Sequence, residues 1–108
     1  MTKMVICDTL EKQLRGVMGN KEFPKDTLYL FPNVVAGSLF HMATVPFSLD
    51  IAFLDEDNTL LDVVTMPAEY GKAKAPVRTA KAVEAPVGYF EKFELLTKIP
   101  LGETRDAE

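Results

Sequence analysis

The sequence predicts a mainly β protein, a β-sandwich or open barrel with two short peripheral helices. Several short apolar stretches are separated by turn residues, a pattern typical of antiparallel sheets. Helical spacing of apolar residues is confined to two short segments, so we do not expect the helices that connect parallel strands. The chain has 108 residues, 47% of them apolar, which is enough for one core. We therefore expect a single domain over residues 1–103 and a frayed tail over residues 104–108.

The N-terminal third is predicted to contain a strand, a helix and a second strand. Residues 4–7 are a short apolar run suited to a strand. Asp8 and Glu11 have the spacing of a capping box, which marks the start of a helix. Gly19 is the predicted end of that helix, and residues 28–31 are the second strand. The helix presents one apolar stripe formed by Leu10, Leu14, Val17 and Met18.

The clearest predicted element is a hairpin in the middle of the chain. Residues 49–55 alternate between two faces, and residues 60–66 are again apolar and β-branched. The polar residues 55–59 between them have turn chemistry. Residues 34–42 are mostly apolar and are predicted to hold one or two further strands. The alternation places Leu49, Ile51 and Phe53 on one face, and Asp50, Ala52 and Leu54 on the other.

The C-terminal third is predicted to contain a loop, an edge strand and a second short helix. Residues 67–76 indicate an exposed loop. Residues 77–85 alternate, and the lysine at position 81 is typical of an edge strand protected against pairing. The second helix is predicted from the spacing of Tyr89, Phe90, Phe93 and Leu96.

Composition and charge exclude several classes of function. Sixteen acidic and twelve basic residues give a net charge of -4, which disfavours binding to nucleic acid. Cys7 has no second cysteine to pair with, and no long apolar segment indicates a signal peptide or a membrane span. We therefore expect a soluble, cytoplasmic protein. No phosphate loop, dinucleotide fingerprint or serine elbow is present, so no cofactor is expected.

His41 and Asp50 form the strongest candidate for chemistry. They lie nine residues apart across a turn at Pro46, so two antiparallel strands would bring them together. A histidine held by a carboxylate suits general-base catalysis or the orientation of a metal ligand. Alternatively, Asp50 accepts backbone amides of residues 43–47, and His41 is an ordinary core residue. In either case a buried Asp50 needs a partner, because an unpaired buried charge costs about 3–5 kcal/mol.

The acidic turn of the hairpin resembles the start of a calcium loop. Asp55, Asp57 and Thr59 have the spacing of the first oxygen ligands. Leu60 then stands where the loop needs glycine, and Met66 where it needs a bidentate glutamate. The segment is therefore predicted to be a solvated turn. Cys7 and His41 are each the single residue of their type, so no metal site is expected.

Two basic features are candidates for anion or partner binding. Arg15 precedes the predicted end of the first helix, but the partial charge of a helix C-terminus attracts cations and repels anions. A second stretch combines four basic residues without any acidic one, and either meets a phosphate or acidic partner or forms a solvated strand edge. Its members are Lys72, Lys74, Arg78 and Lys81.

Five segments in order resemble the motifs of one bacterial and archaeal family. Residues 14–19 are similar to "R-x-GLM-x-R" and residues 30–32 to "F-x-FP". Residues 40–55 are similar to "F-(W/H)-M-x-x-T…P-LDI-x-F-(L/I)-D", residues 84–88 to "LE-x-PAG" and residues 99–103 to "I-x-x-GD". The family is domain of unknown function 192 (DUF192). The resemblance implies a jelly-roll type of β-sandwich with peripheral helices, and it implies no biochemical role.

Three functions are compatible with these observations. The first is a non-enzymatic module that binds a small ligand or a protein in a cleft formed by His41, Met42, Asp50 and Arg15. The second is a hydrolase or metal-assisted enzyme that uses His41 and Asp50. The third is an assembly subunit that pairs through the exposed sheet edge expected at residues 77–85. No interaction with nucleic acid or a membrane is expected.

Overall fold

Seven strands form two sheets in the computed structural model, which describes residues 2–101. The larger sheet has the strand order β1-β2-β7-β4-β5, and the smaller one pairs β3 with β6. The strands are β1 (Lys3–Ile6), β2 (Thr27–Phe31), β3 (Leu39–His41), β4 (Leu49–Leu54), β5 (Leu60–Met66), β6 (Lys72–Lys74) and β7 (Lys81–Ala85). The helices are α1 (Leu10–Arg15) and a 3₁₀ helix (Tyr89–Lys92).

The predicted mainly β class is confirmed, whereas the predicted barrel or jelly-roll arrangement of the strands is not. The five-stranded sheet is open, with β1 and β5 at its two edges, so it does not close into a barrel. A jelly roll is not confirmed by this strand order. The predicted tail at residues 104–108 lies outside the described residues. No helix within residues 2–101 is long and apolar enough to cross a bilayer.

The first helix connects two parallel strands, which corrects the expectation that such a connection is missing. β1 pairs with β2 in parallel, and α1 lies between them in the chain. The cap is Thr9 rather than Asp8, because the Thr9 side chain accepts from the Lys12 amide. The helix ends at Gly16 rather than Gly19: Gly16 has φ +46°, a left-handed value that favours glycine, and its amide donates to the Lys12 carbonyl at 2.8 Å.

The predicted hairpin is confirmed in position and in the direction of its side chains. β4 and β5 pair antiparallel, with Leu49 opposite Met66 and Ile51 opposite Val64. The six residues of β4 are all buried, so both faces of the sheet are covered. One set of β4 side chains belongs to the core facing the β3–β6 sheet, and Ala52 and Leu54 belong to the core under the 3₁₀ helix. The first set is Leu49, Ile51 and Phe53.

Three predictions for the C-terminal half require correction. Residues 77–85 do not form an edge strand, because β7 lies between β2 and β4 and pairs with both. The predicted loop at residues 67–76 contains β6, which pairs with β3. The second helix is a single 3₁₀ turn at Tyr89–Lys92. An assembly mode through an edge at residues 77–85 therefore has no basis in the fold.

Candidate functional site

A cavity of about 280 Å³ lies on the face of the large sheet that is covered by α1 and β3. Apolar side chains from three regions line it: Phe31 from β2, Phe40 from β3, and Met42 just after β3. Three residues with ionisable side chains also line it, namely Arg15, His41 and Glu84. The combination of an apolar wall with a few polar groups is typical of small-molecule sites.

Glu84 is the most unusual residue of this cavity. It lies in the centre of the large sheet, opposite Tyr29 of β2 and opposite Ile51 of β4, and only 6% of its surface is exposed. No residue in the described part of the chain donates a hydrogen bond or an ion pair to its carboxylate. Burial alone raises the pKa of Glu84 from 4.5 to about 7, because desolvation disfavours the charged form.

The alternation of β7 directs Glu84 toward the cavity. Ala82 packs in the core on the cavity side of the sheet, whereas Val83 and Ala85 pack in the core on the opposite side. Glu84 follows the same alternation and lies on the side of Ala82. Among the described residues, no fully enclosed side-chain nitrogen or oxygen lacks a hydrogen-bond partner. Since Glu84 has no such partner, its carboxylate must be open to the cavity and is not sealed in the core.

Gly16, at the end of α1, leaves the Glu84 carboxylate uncovered on the side that faces the helix. A Cβ atom on this glycine would lie 3.8 Å from Oε1 of Glu84 and 3.6 Å from Cζ of Phe31. The missing side chain therefore leaves room directly over the carboxylate. The neighbouring wall is aromatic: the rings of Phe31 and Phe40 pack edge to face at 5.6 Å, and Phe40 packs on Phe53 at 5.8 Å.

Three of the four predicted ligand-binding residues meet at this cavity. Arg15 and His41 line it with exposed side chains, and Met42 forms a buried part of its wall. Nδ1 of His41 accepts from the Ala43 amide at 3.3 Å. His41 is therefore not the enclosed core residue of the alternative hypothesis.

Asp50 lies elsewhere, and its predicted partners are wrong. It is buried, with 5% exposure, on the face of β4 that carries Ala52 and Leu54, so the sheet separates it from the cavity. Its Oδ1 accepts from the Thr65 hydroxyl, and its Oδ2 accepts from the Gly88 amide at 2.8 Å. Neither His41 nor the loop at residues 43–47 provides the partner. Both oxygens of Asp50 are thus occupied in holding β4 to β5 and to the start of the 3₁₀ helix.

The acidic hairpin turn forms the predicted turn structure. Oδ1 of Asp55 accepts from the amides of Asp57 and Thr59, at 2.8 and 2.9 Å. The hydrogen bond from the Thr59 amide is the largest cause of a lowered pKa of Asp55; desolvation opposes this effect, and the hydrogen bond from the Asp57 amide adds to it. Nowhere in residues 2–101 do three His, Cys, Asp or Glu side chains cluster closely enough to hold a metal ion.

The residues of the basic stretch lie on β6, on β7 and in the segment between these strands. Lys72 and Lys74 are exposed on β6, and Arg78 is exposed in the segment before β7. Lys81 differs from them because its ammonium donates to Oδ1 of Asn58 at 2.7 Å and to the Glu56 carbonyl at 3.2 Å. Lys81 therefore ties β7 to the hairpin turn.

A model of the DUF192 family, described as an uncharacterized ACR, matches residues 1–98. The chain belongs to the DUF192 family. This confirms the resemblance noted in the sequence, and it assigns no activity. A comparison with curated proteins finds no significant match.

Two solved structures share this DUF192 fold. A protein of unknown function from Novosphingobium aromaticivorans DSM 12444 aligns with a TM-score of 0.69 and 20% identity, over 83% of this chain. The alignment spans 66% of that protein, slightly less than two thirds of its length. A protein from Sinorhizobium meliloti 1021, provisionally called a transcription regulator, aligns with a TM-score of 0.67 and 17% identity, over 82% of this chain and 70% of that one. Identities this low show the fold alone.

Glu84 is the site residue that the sequence reasoning missed. Residues 77–85 were assigned to an edge strand, where a glutamate is ordinary and solvated. Two signals pointed to it. Small apolar residues flank it as Ala82-Val83 and Ala85, and it opens the DUF192-like segment at residues 84–88. A carboxylate in the middle of an apolar strand is expensive to bury, which makes it a candidate for function.

Proposed function

We propose that this DUF192 protein is a non-enzymatic module that binds a small ligand in the cavity beneath α1. The observation that carries the proposal is the Glu84 carboxylate, which is buried, without a partner among the described residues, and open to that cavity. An ionised carboxylate left in this state costs several kcal/mol, so folding stability alone gives no reason to keep it. A bound ligand that satisfies the carboxylate supplies such a reason.

The dimensions and rigidity of the cavity support a small ligand rather than a large one. Its volume of about 280 Å³ lies just below the range of small-molecule sites, which starts near 300 Å³. Glu84 and Phe31 are on paired strands of the large sheet, so the polar anchor and the apolar wall have fixed relative positions. His41 and Arg15 lie on the exposed side, where they contact a ligand that extends out of the cavity.

The enzymatic alternative loses its catalytic pair in this arrangement. It required a hydrogen bond between His41 and Asp50, whereas both oxygens of Asp50 are occupied on the other side of the sheet. His41 and Glu84 line the same cavity, but the described residues show no hydrogen bond between these two side chains. A binding role therefore has more support than a catalytic one.

The proposal is tested by screening a fragment panel with ligand-observed NMR and measuring the hits by titration calorimetry. The blocking variant is Ala43→Trp, since Ala43 lines the cavity and is exposed, so that an indole there covers the opening without entering the core. Val87→Trp is the matched control, because Val87 is also exposed and does not line the cavity. We expect hits whose affinity falls about tenfold or more in Ala43→Trp and stays unchanged in Val87→Trp. Equal binding by both variants, or an absence of hits, would contradict the proposal.

A further inference from the structure

We propose that the ligand of this cavity is a small organic cation, an amine or amidine on a compact apolar group, whose charged head pairs with the Glu84 carboxylate. This inference rests on the small-ligand binding proposed above, and it adds the chemical class of the ligand. It follows from the charge at the bottom of the cavity, the nature of the walls and the groups that surround Glu84.

The Glu84 carboxylate offers two hydrogen-bond acceptors to the cavity. Glu84 has two oxygens and no partner in the described part of the chain. The C-terminal end of α1, which lines the cavity at Arg15 and Gly16, also carries the negative end of the helix dipole. Both features favour a cation, and an N–H donor paired with a carboxylate forms a short charge-assisted hydrogen bond.

The walls suit the remainder of such a ligand. The rings of Phe31 and Phe40, which pack against each other, line the cavity together with Met42. Aromatic rings accept organic cations and also pack against hydrocarbon groups. The space above the carboxylate, which a side chain on Gly16 would fill, gives an ammonium or amidinium group access to Oε1.

The charged and titratable groups around Glu84 define the competing possibilities. Arg15 of α1 and His41 of β3 line the same cavity, Tyr29 of β2 stands opposite Glu84, and the residue opposite on β4 is the apolar Ile51. Arg15 and His41 would favour an anion if they dominated the site. Among residues 2–101, however, no ion pair to Glu84 is formed by either of them, so the carboxylate remains available to a cation.

Binding of a cation should require the ionised form of Glu84. Because burial raises the pKa of this carboxyl to about 7, cation affinity should rise with pH through the neutral range. If only the ionised form binds, affinity should be about 30-fold weaker at about pH 5.5 than at about pH 8.5. Alkylamines remain protonated over this interval, so the ligand itself does not cause the change.

The experiment compares three probes of one shape by titration calorimetry: benzylamine, benzyl alcohol and benzoate. We expect benzylamine to bind about tenfold or more tightly than the other two, and to lose that advantage in Glu84→Gln. Glu84→Gln preserves the shape of the side chain, and circular dichroism checks its fold. The pH series is repeated in His41→Gln, which removes the other cavity residue whose type titrates near neutrality; the 30-fold change should persist there.

Each outcome separates this inference from the proposed function. Equal affinities of the three probes, abolished by Ala43→Trp, would overturn the cation assignment and leave small-ligand binding intact. Tightest binding of benzoate would also overturn it, and would instead assign an anion site to Arg15 and His41. Absence of any binding, in this series and in the fragment panel, would overturn both. The charge series in the unmodified protein needs no variant, so a folding defect in Glu84→Gln cannot obscure the result.

Discussion

Asp50 and Glu84 are two carboxylates on neighbouring strands of the same sheet, buried to almost the same degree. Asp50 is 5% exposed and Glu84 is 6% exposed. In the register of β4 and β7, Asp50 is opposite Ala85 and Glu84 is opposite Ile51, so the two acids are offset by one residue and lie on opposite faces. Asp50 accepts two hydrogen bonds, from Thr65 and Gly88, and Glu84 accepts none from the described residues.

The difference shows that burial of a carboxylate does not by itself indicate a functional site. Asp50 is buried because it satisfies two donors and thereby links three segments of the fold. Glu84 is buried at a cost, and no hydrogen bond from the described part of the chain compensates it. Since the two carboxyl groups are almost equally buried on neighbouring strands, their hydrogen bonds are what distinguishes the structural role of Asp50 from the binding role proposed for Glu84.

The largest expected effect comes from removing the structural carboxylate. Asp50→Ala should lower the free energy of unfolding by about 3 kcal/mol, because the Gly88 amide and the Thr65 hydroxyl both lose their acceptor. Urea denaturation at about pH 8.5 measures it. The matched change, Glu84→Ala, should not lower the free energy of unfolding at this pH and should raise it, since it leaves no donor unpaired and removes a costly charge. Equal losses in the two variants would contradict the distinction between them.

The next largest effect is a pH dependence of the unfolding free energy that is caused by Glu84. The pKa of Glu84 is raised on folding from 4.5 to about 7, so the folded state binds the proton more tightly than the unfolded state. The resulting stability is fully present below about pH 4.5 and is lost as the pH rises through about 7.

Glu84→Gln isolates this contribution, because all other titrating groups are common to both proteins. Relative to this variant, the unmodified protein should gain about 2 kcal/mol of unfolding free energy when the pH falls from about 8.5 to about 5.5. Denaturation curves at the two pH values measure the gain. Stability curves that stay parallel across this interval would show that Glu84 is not held in a desolvated site.

The smallest expected effect concerns His41, which the sequence analysis paired with Asp50. His41→Ala should change stability by less than about 0.5 kcal/mol, because the side chain is exposed and accepts only a weak, long hydrogen bond from the Ala43 amide. In a double-mutant cycle by urea denaturation, its effect should add to that of Asp50→Ala with no coupling. A coupling energy of about 1 kcal/mol or more would indicate contact between His41 and Asp50 and would support the enzymatic alternative again.

The hairpin was predictable because its signals are local. The alternation of β4 follows from the period of two in any strand, and the acidic turn at residues 55–59 contains its own acceptor, Asp55. The same alternation correctly assigned Asp50 to the face opposite Ile51 and Phe53. The alternation did not reveal which hydrogen-bond donors lie on that face, because Thr65 and Gly88 are 15 and 38 residues away from Asp50 in the chain.

The errors concern features that depend on distant pairing. Residues 81–85 have small side chains and a lysine, which suits an edge strand, yet β7 is central because β2 and β4 both pair with it. α1 is only six residues long, and its role as the connection between parallel strands depends on β1 pairing with β2. Three predicted ligand-binding residues, Arg15, His41 and Met42, did meet at one cavity.

The sequence by itself determined the mainly β class, the β4–β5 hairpin, the DUF192 resemblance and the two faces of β4. These follow from side-chain period, turn chemistry and ordered motifs, which are properties of short segments. Only the tertiary structure decided the order of the strands, the partners of Asp50 and the isolation of Glu84. Strand order and hydrogen-bond partners depend on which distant segments meet, and Glu84 lacks a donor because none of the described segments that enclose it brings one.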